Sequence, residues 1–409
     1  MKAVILDTAF TRTCKAQDEA HLLDLYGTSL RDLLVKKLKA FDLEGVQWAD
    51  WTPEQGPCIL ISAGFLPEIG PSSDEAEGFA VCFDRFLKSA ASFYLSLDRP
   101  GVVYAIKIDE TRASQLARFL SQEGGKKQVT MEEVATLFSA EWSPALQKIE
   151  EENDTILFSE EAAIHSEEVA WSYDFYMDGF SDVSEYYQII SVEKAYALMD
   201  AGVRIDDPTL VRIAPEVEVG AGSWIQGRVE ITGSSVIGKK CLITDGSIIR
   251  SSTIGNGVSI RSSVIEESVM EDESNIGPFS HLRPQSHLGE GVHIGNFVEV
   301  KKASLGVGTK AGHLAYIGDA EVGDDVNISC GVIFCNYDGK HKHQAKVGDH
   351  AFLGSNANLV APVEVGKEGF VAAGSTITAP VAEGSLAIER AERKDVAGYV
   401  AKKKREGKL

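Results

Sequence analysis

Between Arg283 and Lys342 the chain gathers residues of the kinds that do chemistry: Arg283, Glu299, Lys301, Lys302, His313, Tyr316, Asn327, Asn336, Tyr337 and Lys342. They stand in a stretch otherwise small, apolar and studded with glycine, as in KKASLGVGTKAGHLAYIGD. Arg283 and Lys301 are 18 residues apart. In a coil of that length their side chains stack, and two stacked cations repel each other unless an anion bridges them. A phosphate does so, and Lys342 can close over the same anion. The plainer alternative is a solvated basic strip. His313 has two readings as well. Its ring sits in water at a corner, or it is a general base partnered by Glu299, which lies 14 residues upstream and so close to one coil away. His341 and His343 are solvated loop residues or ligands of a zinc ion shared between subunits.

The elements that must position these residues follow from a six-residue period. After Pro208 an aliphatic residue recurs in IAPEVE, VGAGSW, IGNGVS, LGEGVH, IGNFVE, VGDDVN and VGKEGF, sustained from Ile213 to about Ala382. Such a period predicts a left-handed parallel β-helix, in which three hexads close one triangular coil. Aliphatic residues stack inside as ladders, and glycines supply the positive φ of the corners. The period fails between Cys335 and Val347, where NYDGKHKHQAK holds no repeating aliphatic residue. An insertion of this kind maps to a loop ejected from one face.

The first half has a different rhythm. Short β-rich runs (AVILD, PCILISA, GVVYAIKI) alternate with helical patterns such as SLRDLLVKKLKAF and EGFAVCFDRFLKSAASFYLSL, predicting an α/β domain with a largely parallel sheet. SVEKAYALMDAG reads as a helix with Gly202 just past its end. The expected organisation is an α/β domain over 1–190, a linker helix over 191–207, the β-helix over 208–389 and a basic tail over 390–409. That tail is a solvated extension or a contact for an anionic ligand.

Bulk composition bounds the function. The 409 residues carry a formal net charge of −21, which disfavours nucleic acid and anionic membrane surfaces as partners. The six cysteines form no CxxC pair, which suits reduced thiols. MKAVILDTAF lacks a signal-peptide layout, and no apolar run approaches the ~20 residues of a membrane helix, so a cytoplasmic setting is expected.

The stretches GPFSHLRP, GNFVEVKKASLG, GTKAGHLAYIGDAEVGDDVNI, CNYDG, LVAPVEVG and VAAGSTIT, in one order from about Ile276 to Arg390, resemble the acetyltransferase domain of a bifunctional bacterial family. Its members make UDP-N-acetylglucosamine as glucosamine-1-phosphate acetyltransferases and N-acetylglucosamine-1-phosphate uridyltransferases. The resemblance implies that His313, helped by Glu299, is the base for attack of a sugar amine on acetyl-CoA. It implies that Arg283, Lys301 and Lys342 hold the 1-phosphate, and that Tyr316 and Asn327 contact the sugar. Asn336, Tyr337, Ser355, Ala373 and Arg390 would serve the coenzyme, and the backbone N–H of Cys330 the oxyanion, in a pocket between subunits of a homotrimer. Ser329, Cys330, Val332 and Phe334 depart from the family pattern, which bears on acceptor identity. In the first half, LDTAFTRTCK keeps Thr11 and Arg12 of the family's phosphate-cradling loop but none of its glycines, and Asp7 opposes phosphate. The implied nucleotidyltransferase-like domain is therefore degenerate, with magnesium a cofactor only if uridyltransferase activity survives. Other functions open to the chain are a non-catalytic trimeric scaffold or sensor, and a β-helical zinc enzyme.

Overall fold

The structure is a computed structural model. It describes residues 179–391 and 393–408 throughout, and in the first half residues 2–8, 11–12, 24–25, 28–47, 58–63, 65–66, 83–88, 91–96, 102–122, 129–141, 143, 169–172 and 175–176. Cys14, Cys82 and part of the LDTAFTRTCK stretch lie outside the described residues. The chain forms two compact units, Met1–Ile189 and Ile190–Leu409.

In the first unit six strands form one sheet in the order Glu44–Gln47, Lys2–Leu6, Cys58–Ser62, Val103–Ile108, Phe93–Ser96, Val169–Ser172. Lys2–Leu6 runs parallel to both neighbours, whereas Val103–Ile108 is antiparallel to both of its own. The sheet is thus mixed rather than largely parallel. Only positions 97–102 separate Phe93–Ser96 from Val103–Ile108, too few for the dozen or so residues a parallel crossover takes.

The pattern EGFAVCFDRFLKSAASFYLSL also resolves differently from the single predicted helix. It contains a helix at Phe83–Lys88 and a strand at Phe93–Ser96, while positions 77–82, 89, 90 and 97 are outside the described residues. Phe93, Tyr94 and Leu95 are all fully buried. A strand covered on both faces gives an unbroken apolar run, which periodicity alone does not separate from a buried helix. On one side Phe65 stacks on Tyr104 and Phe86 on Tyr94. On the other, Val4, Leu60 and Ile106 pack with Leu116 and Val134 of the helices Glu110–Gln122 and Met131–Leu137.

The helix Phe180–Asp200 starts upstream of the segment expected to be a linker. It ends where Gly202, at φ +92°, donates its N–H to Met199 O while Val203 N–H reaches Leu198 O, a Schellman closure. The Ser191 hydroxyl donates to Val211 O and accepts from Ile213 N–H, tying the helix to the first coils. The parallel β-helix, of the left-handed type, then runs from Arg204 to Ala387. Each strand pairs in parallel with the one a coil ahead. The step is 20 residues in the first coil, from Arg204 to Trp224, then 16, 17 or 18, and 25 across the Cys335–Val347 segment. Ile231, Ile249, Ile265, Leu282 and Val300 form one of the buried ladders.

Two 13-residue strands, His293–Leu305 and Lys310–Val322, wrap all three faces and stay paired through the corners. A Cβ on Gly295 would meet Gly312 O at 1.8 Å, so this corner requires glycine. The positive-φ corners are shared between glycines, among them Gly222, Gly257, Gly291 and Gly308, and other residues, such as Lys240, Glu273, Asp325 and Glu368, and along a different edge Phe279, Phe297 and Leu314 beside Gly331 and Gly374. Glycine thus supplies many of these corners, as the hexads suggested, but not all of them. The basic tail contains a short exposed helix, Tyr399–Arg405. Among the described residues no helix is long and apolar enough to cross a membrane.

Candidate functional site

One face of the β-helix carries a vertical series of charges. Arg212 meets Glu230 at 3.8 Å, Glu230 meets Arg250 at 3.0 Å, Arg250 meets Glu266 at 3.1 Å, and Glu266 meets His281 at 2.9 Å. On the next coils Arg283 Nη1 donates to Glu299 Oε1 at 2.8 Å, which holds the guanidinium charged above its ordinary range. Arg283 stacks in register on Lys301, as the spacing of 18 required. The alternation stops there. Lys301 and Lys342 come within hydrogen-bonding reach, and among the described residues neither makes an ion pair. The contact with Lys342 lowers the Lys301 pKa, followed by desolvation and the charges of Lys342 and Arg283. Three cations thus converge with the Glu299 carboxylate on Arg283 and that of Asp319 acting more weakly on Lys301, an arrangement that a doubly charged anion would relieve.

Beside this group Asn336, buried at the root of the ejected loop, donates to Tyr316 Oη at 3.3 Å and makes a short bond to Asp319. Gly318, the register partner of Lys301, leaves the space these groups use: a Cβ there would lie 2.4 Å from Tyr316 Oη and 2.8 Å from Asn336 Nδ2. Gly318 and Asp319 were not singled out from the sequence. The spacing of 17 between Asp319 and Asn336 was the available signal.

His313 is exposed at the corner leading onto that face. Its register partner is Asn296, whose Oδ1 lies 3.4 Å from His313 Nδ1. Glu299 aligns with Tyr316 and bonds to Arg283, so the structure brings Glu299 to the cations and Asn296 to the histidine. His293 is a further neighbour, its pKa lowered by burial, then by Lys310 and His313.

Cys330, Ser355, Ala373 and Arg390 share one edge, whereas the other coenzyme candidates, Asn336 and Tyr337, lie at the ejected loop. Gly331 N–H donates to Leu314 O, Asn356 N–H to Cys330 O and Gly374 N–H to Ser355 O, so His313, Cys330, Ser355 and Ala373 stand at successive levels of one corner. Arg390 Cδ lies 3.9 Å from the Cβ position of Gly374 and extends the series. Asn327 aligns with Lys310 and Phe352 on the neighbouring face and donates to Ser329 Oγ, apart from Arg283, Lys301 and Tyr316. Tyr337 and Lys342 pair across the ejected loop, with Tyr337 exposed. His343 contacts Asp338 at 2.8 Å. Among the described residues no group of three or more His, Cys, Asp or Glu side chains is placed to hold a metal.

In the first unit the turn after Lys2–Leu6 closes on itself. Thr8 N–H donates to Thr11 Oγ1 and Thr11 N–H to Thr8 Oγ1, while Arg12 lies 3.8 Å from Glu133. Both threonine amides are consumed internally, which leaves them unable to cradle a phosphate without rearrangement.

The sequence profile of the GMPPB C-terminal domain matches residues 206–303. A bifunctional protein GlmU from Shouchella clausii is 51% identical over 204 residues, 50% of this chain and 45% of that protein. The bifunctional protein GlmU of Enterococcus faecalis is 52% identical over 204 residues, 50% of this chain and 44% of its own. The similarity falls on the C-terminal half, and the match spans less than half the length of these relatives. The solved UDP-N-acetylglucosamine acyltransferase of Francisella novicida aligns at 17% identity over 42% of this chain and 62% of that one, with a TM-score of 0.29.

Proposed function

We propose that the C-terminal unit is an acetyl-CoA-dependent N-acetyltransferase acting on glucosamine 1-phosphate. The observation that carries this reading is the convergence of Arg283, Lys301 and Lys342, unneutralised at its Lys301–Lys342 end, one corner away from His313. The half-identical match to proteins named bifunctional GlmU supports the same substrates.

In this reading the three cations hold the 1-phosphate, and Tyr316 contacts the sugar. The amine nitrogen attacks the thioester carbonyl while His313 Nε2 accepts the amine proton, and Asn296 steadies Nδ1. The backbone N–H of Cys330, on the same corner, stabilises the oxyanion. The C–S bond then breaks and the coenzyme leaves as a thiol. Glu299 acts through Arg283, keeping the guanidinium in place. Ser355, Ala373 and Arg390 line the coenzyme edge, with Asn336 and Tyr337 at the loop.

The proposal includes a homotrimer, and the geometry supports its contact between copies. Asn327 and the group formed by Arg283, Lys301 and Tyr316 lie on adjacent faces, and side chains on adjacent faces of a triangular coil diverge. One sugar touches both sets only if they come from two copies. Phe279, Phe297 and Leu314, exposed along the His313 corner, give a second copy apolar surface to cover. A cytoplasmic setting accords with acetyl-CoA as co-substrate. For the first unit, the self-closed Thr8–Thr11 turn supports a domain without uridyltransferase activity and hence without a magnesium requirement.

The test is release of free thiol from acetyl-CoA with glucosamine 1-phosphate, comparing the parent with His313→Ala. A loss of about a hundredfold or more is expected. A parent inert with glucosamine 1-phosphate and with glucosamine 6-phosphate overturns the reading.

A further inference from the structure

The ejected loop is a closed hairpin rather than a free tether. Asn336 anchors its root through Tyr316 and Asp319, and His343 N–H returns to Asn336 O at 2.8 Å. Tyr337 and Lys342 face each other across an antiparallel bridge, and the Tyr337 hydroxyl donates to Gly339 O. At the tip, Asp338 gathers the remaining contacts. Its Oδ1 accepts from Lys340 N–H at 2.7 Å and from His341 N–H at 2.6 Å, while Oδ2 lies 2.8 Å from His343 Nε2. Lys342 therefore sits between two residues that one carboxylate holds. The bridge holds the same two flanks through the backbone, with Asp338 N–H donating to His341 O at 3.1 Å and His343 N–H to Asn336 O, and the Asp338 carboxylate adds the side-chain contact to both.

We propose that Asp338 is a positioning residue for the acceptor's anionic group: by clamping His341 and His343 it delivers Lys342 to Lys301. The inference rests on the reading of Arg283, Lys301 and Lys342 as a phosphate site. A free lysine carries several rotatable bonds, and binding an anion orders them. A hairpin that already presents Lys342 lowers that ordering cost. The hydrogen bond from the His341 amide, then those from His343 and the Lys340 amide, hold Asp338 ionised, with its pKa at about 2. The clamp is consequently intact throughout the neutral range.

The experiment uses the full chain, with Asp338→Ala, Asp338→Asn, Lys342→Ala and the double variant Asp338→Ala/Lys342→Ala. Lys342→Ala should raise the KM for glucosamine 1-phosphate about tenfold or more, and Asp338→Ala at least about fivefold with kcat nearly unchanged. Because Asp338 acts through Lys342, the double variant should be no worse than Lys342→Ala alone. Asp338→Asn keeps an oxygen for the two amides and should recover a good part of the loss. Effects that multiply in the double variant, or an unchanged KM in Asp338→Ala, overturn the proposal. Broadening of the 31P line of inorganic phosphate provides a readout that needs no turnover. If the parent is inert as an enzyme but phosphate broadening falls in Asp338→Ala and Lys342→Ala, the acetyltransferase reading fails and the clamp stands. If broadening is equal in all variants, or absent from the parent, the clamp fails whatever the activity.

Discussion

The coils below His281 and the coils above it share one fold and differ in how they treat charge. Below, Arg250 lies between Glu230 and Glu266, and each step of the series brings opposite signs together. Above, Lys301 meets Lys342 and among the described residues neither makes an ion pair, the Asp319 carboxylate acting only weakly on Lys301. The buried ladder runs through both places, although only the upper coils carry the two 13-residue strands, so the core did not demand the difference. A face that neutralises itself for several coils and then stops supports the proposal that an outside anion binds there. Backbone space does not follow the same division. Corners at both levels accept charged residues at positive φ, Glu273 below and Glu368 above, and glycines without room for a Cβ occur at both, Gly238 below and Gly295 above.

The contrast can be broken most severely at Gly295. Gly295→Ala places a Cβ against Gly312 O, so it should lower the melting temperature clearly, at a cost of about 3 kcal/mol or more, and abolish thiol release with it. A melting curve and activity both close to the parent's would show that the corner has slack. Next in size, Lys301→Ala should weaken acceptor binding by about one to two powers of ten at unchanged coenzyme KM, the effect of losing one charge-assisted contact. Equal loss for glucosamine without its phosphate would contradict an anion role.

The pH profile sharpens the comparison further. Anion binding requires protonated Lys301, and Lys342 lowers the Lys301 pKa below its ordinary value of 10.5. Acceptor affinity should therefore decline as pH rises through that lowered value. Lys342→Ala, by removing the main cause, should move the alkaline limb upward, and a limb left in place would assign it to another group. The smallest effect is expected at Arg250→Ala, where half-exposed pairs contribute about 1 kcal/mol or less and the acceptor KM should not change. A KM effect there would mean that the lower charges influence the site at long range.

Much of this was legible in the hexads, because a period of six fixes both the coil and which residues share a face. Arg283 over Lys301 followed from counting. Glu299 beside His313 did not, since their spacing of 14 falls three short of the 17-residue coil, which aligns Asn296 with the histidine and Glu299 with Tyr316. A one-residue change in coil length leaves the aliphatic pattern intact and shifts every polar partner. Asp338 was invisible for another reason: its proposed role depends on a hairpin whose own residues carry no period. In the first unit, the strand Phe93–Ser96 was hidden by burial on both faces.

The lengthened coil has a consequence for how such molecules acquire new parts. Closing 25 residues instead of 17 adds only about 0.3 kcal/mol of chain entropy, because the closure term grows with the logarithm of length. The strands on either side remain paired as if nothing had been inserted. A solenoid thus tolerates an added loop at almost any level, and selection is free to test binding hairpins one coil at a time without renegotiating the core.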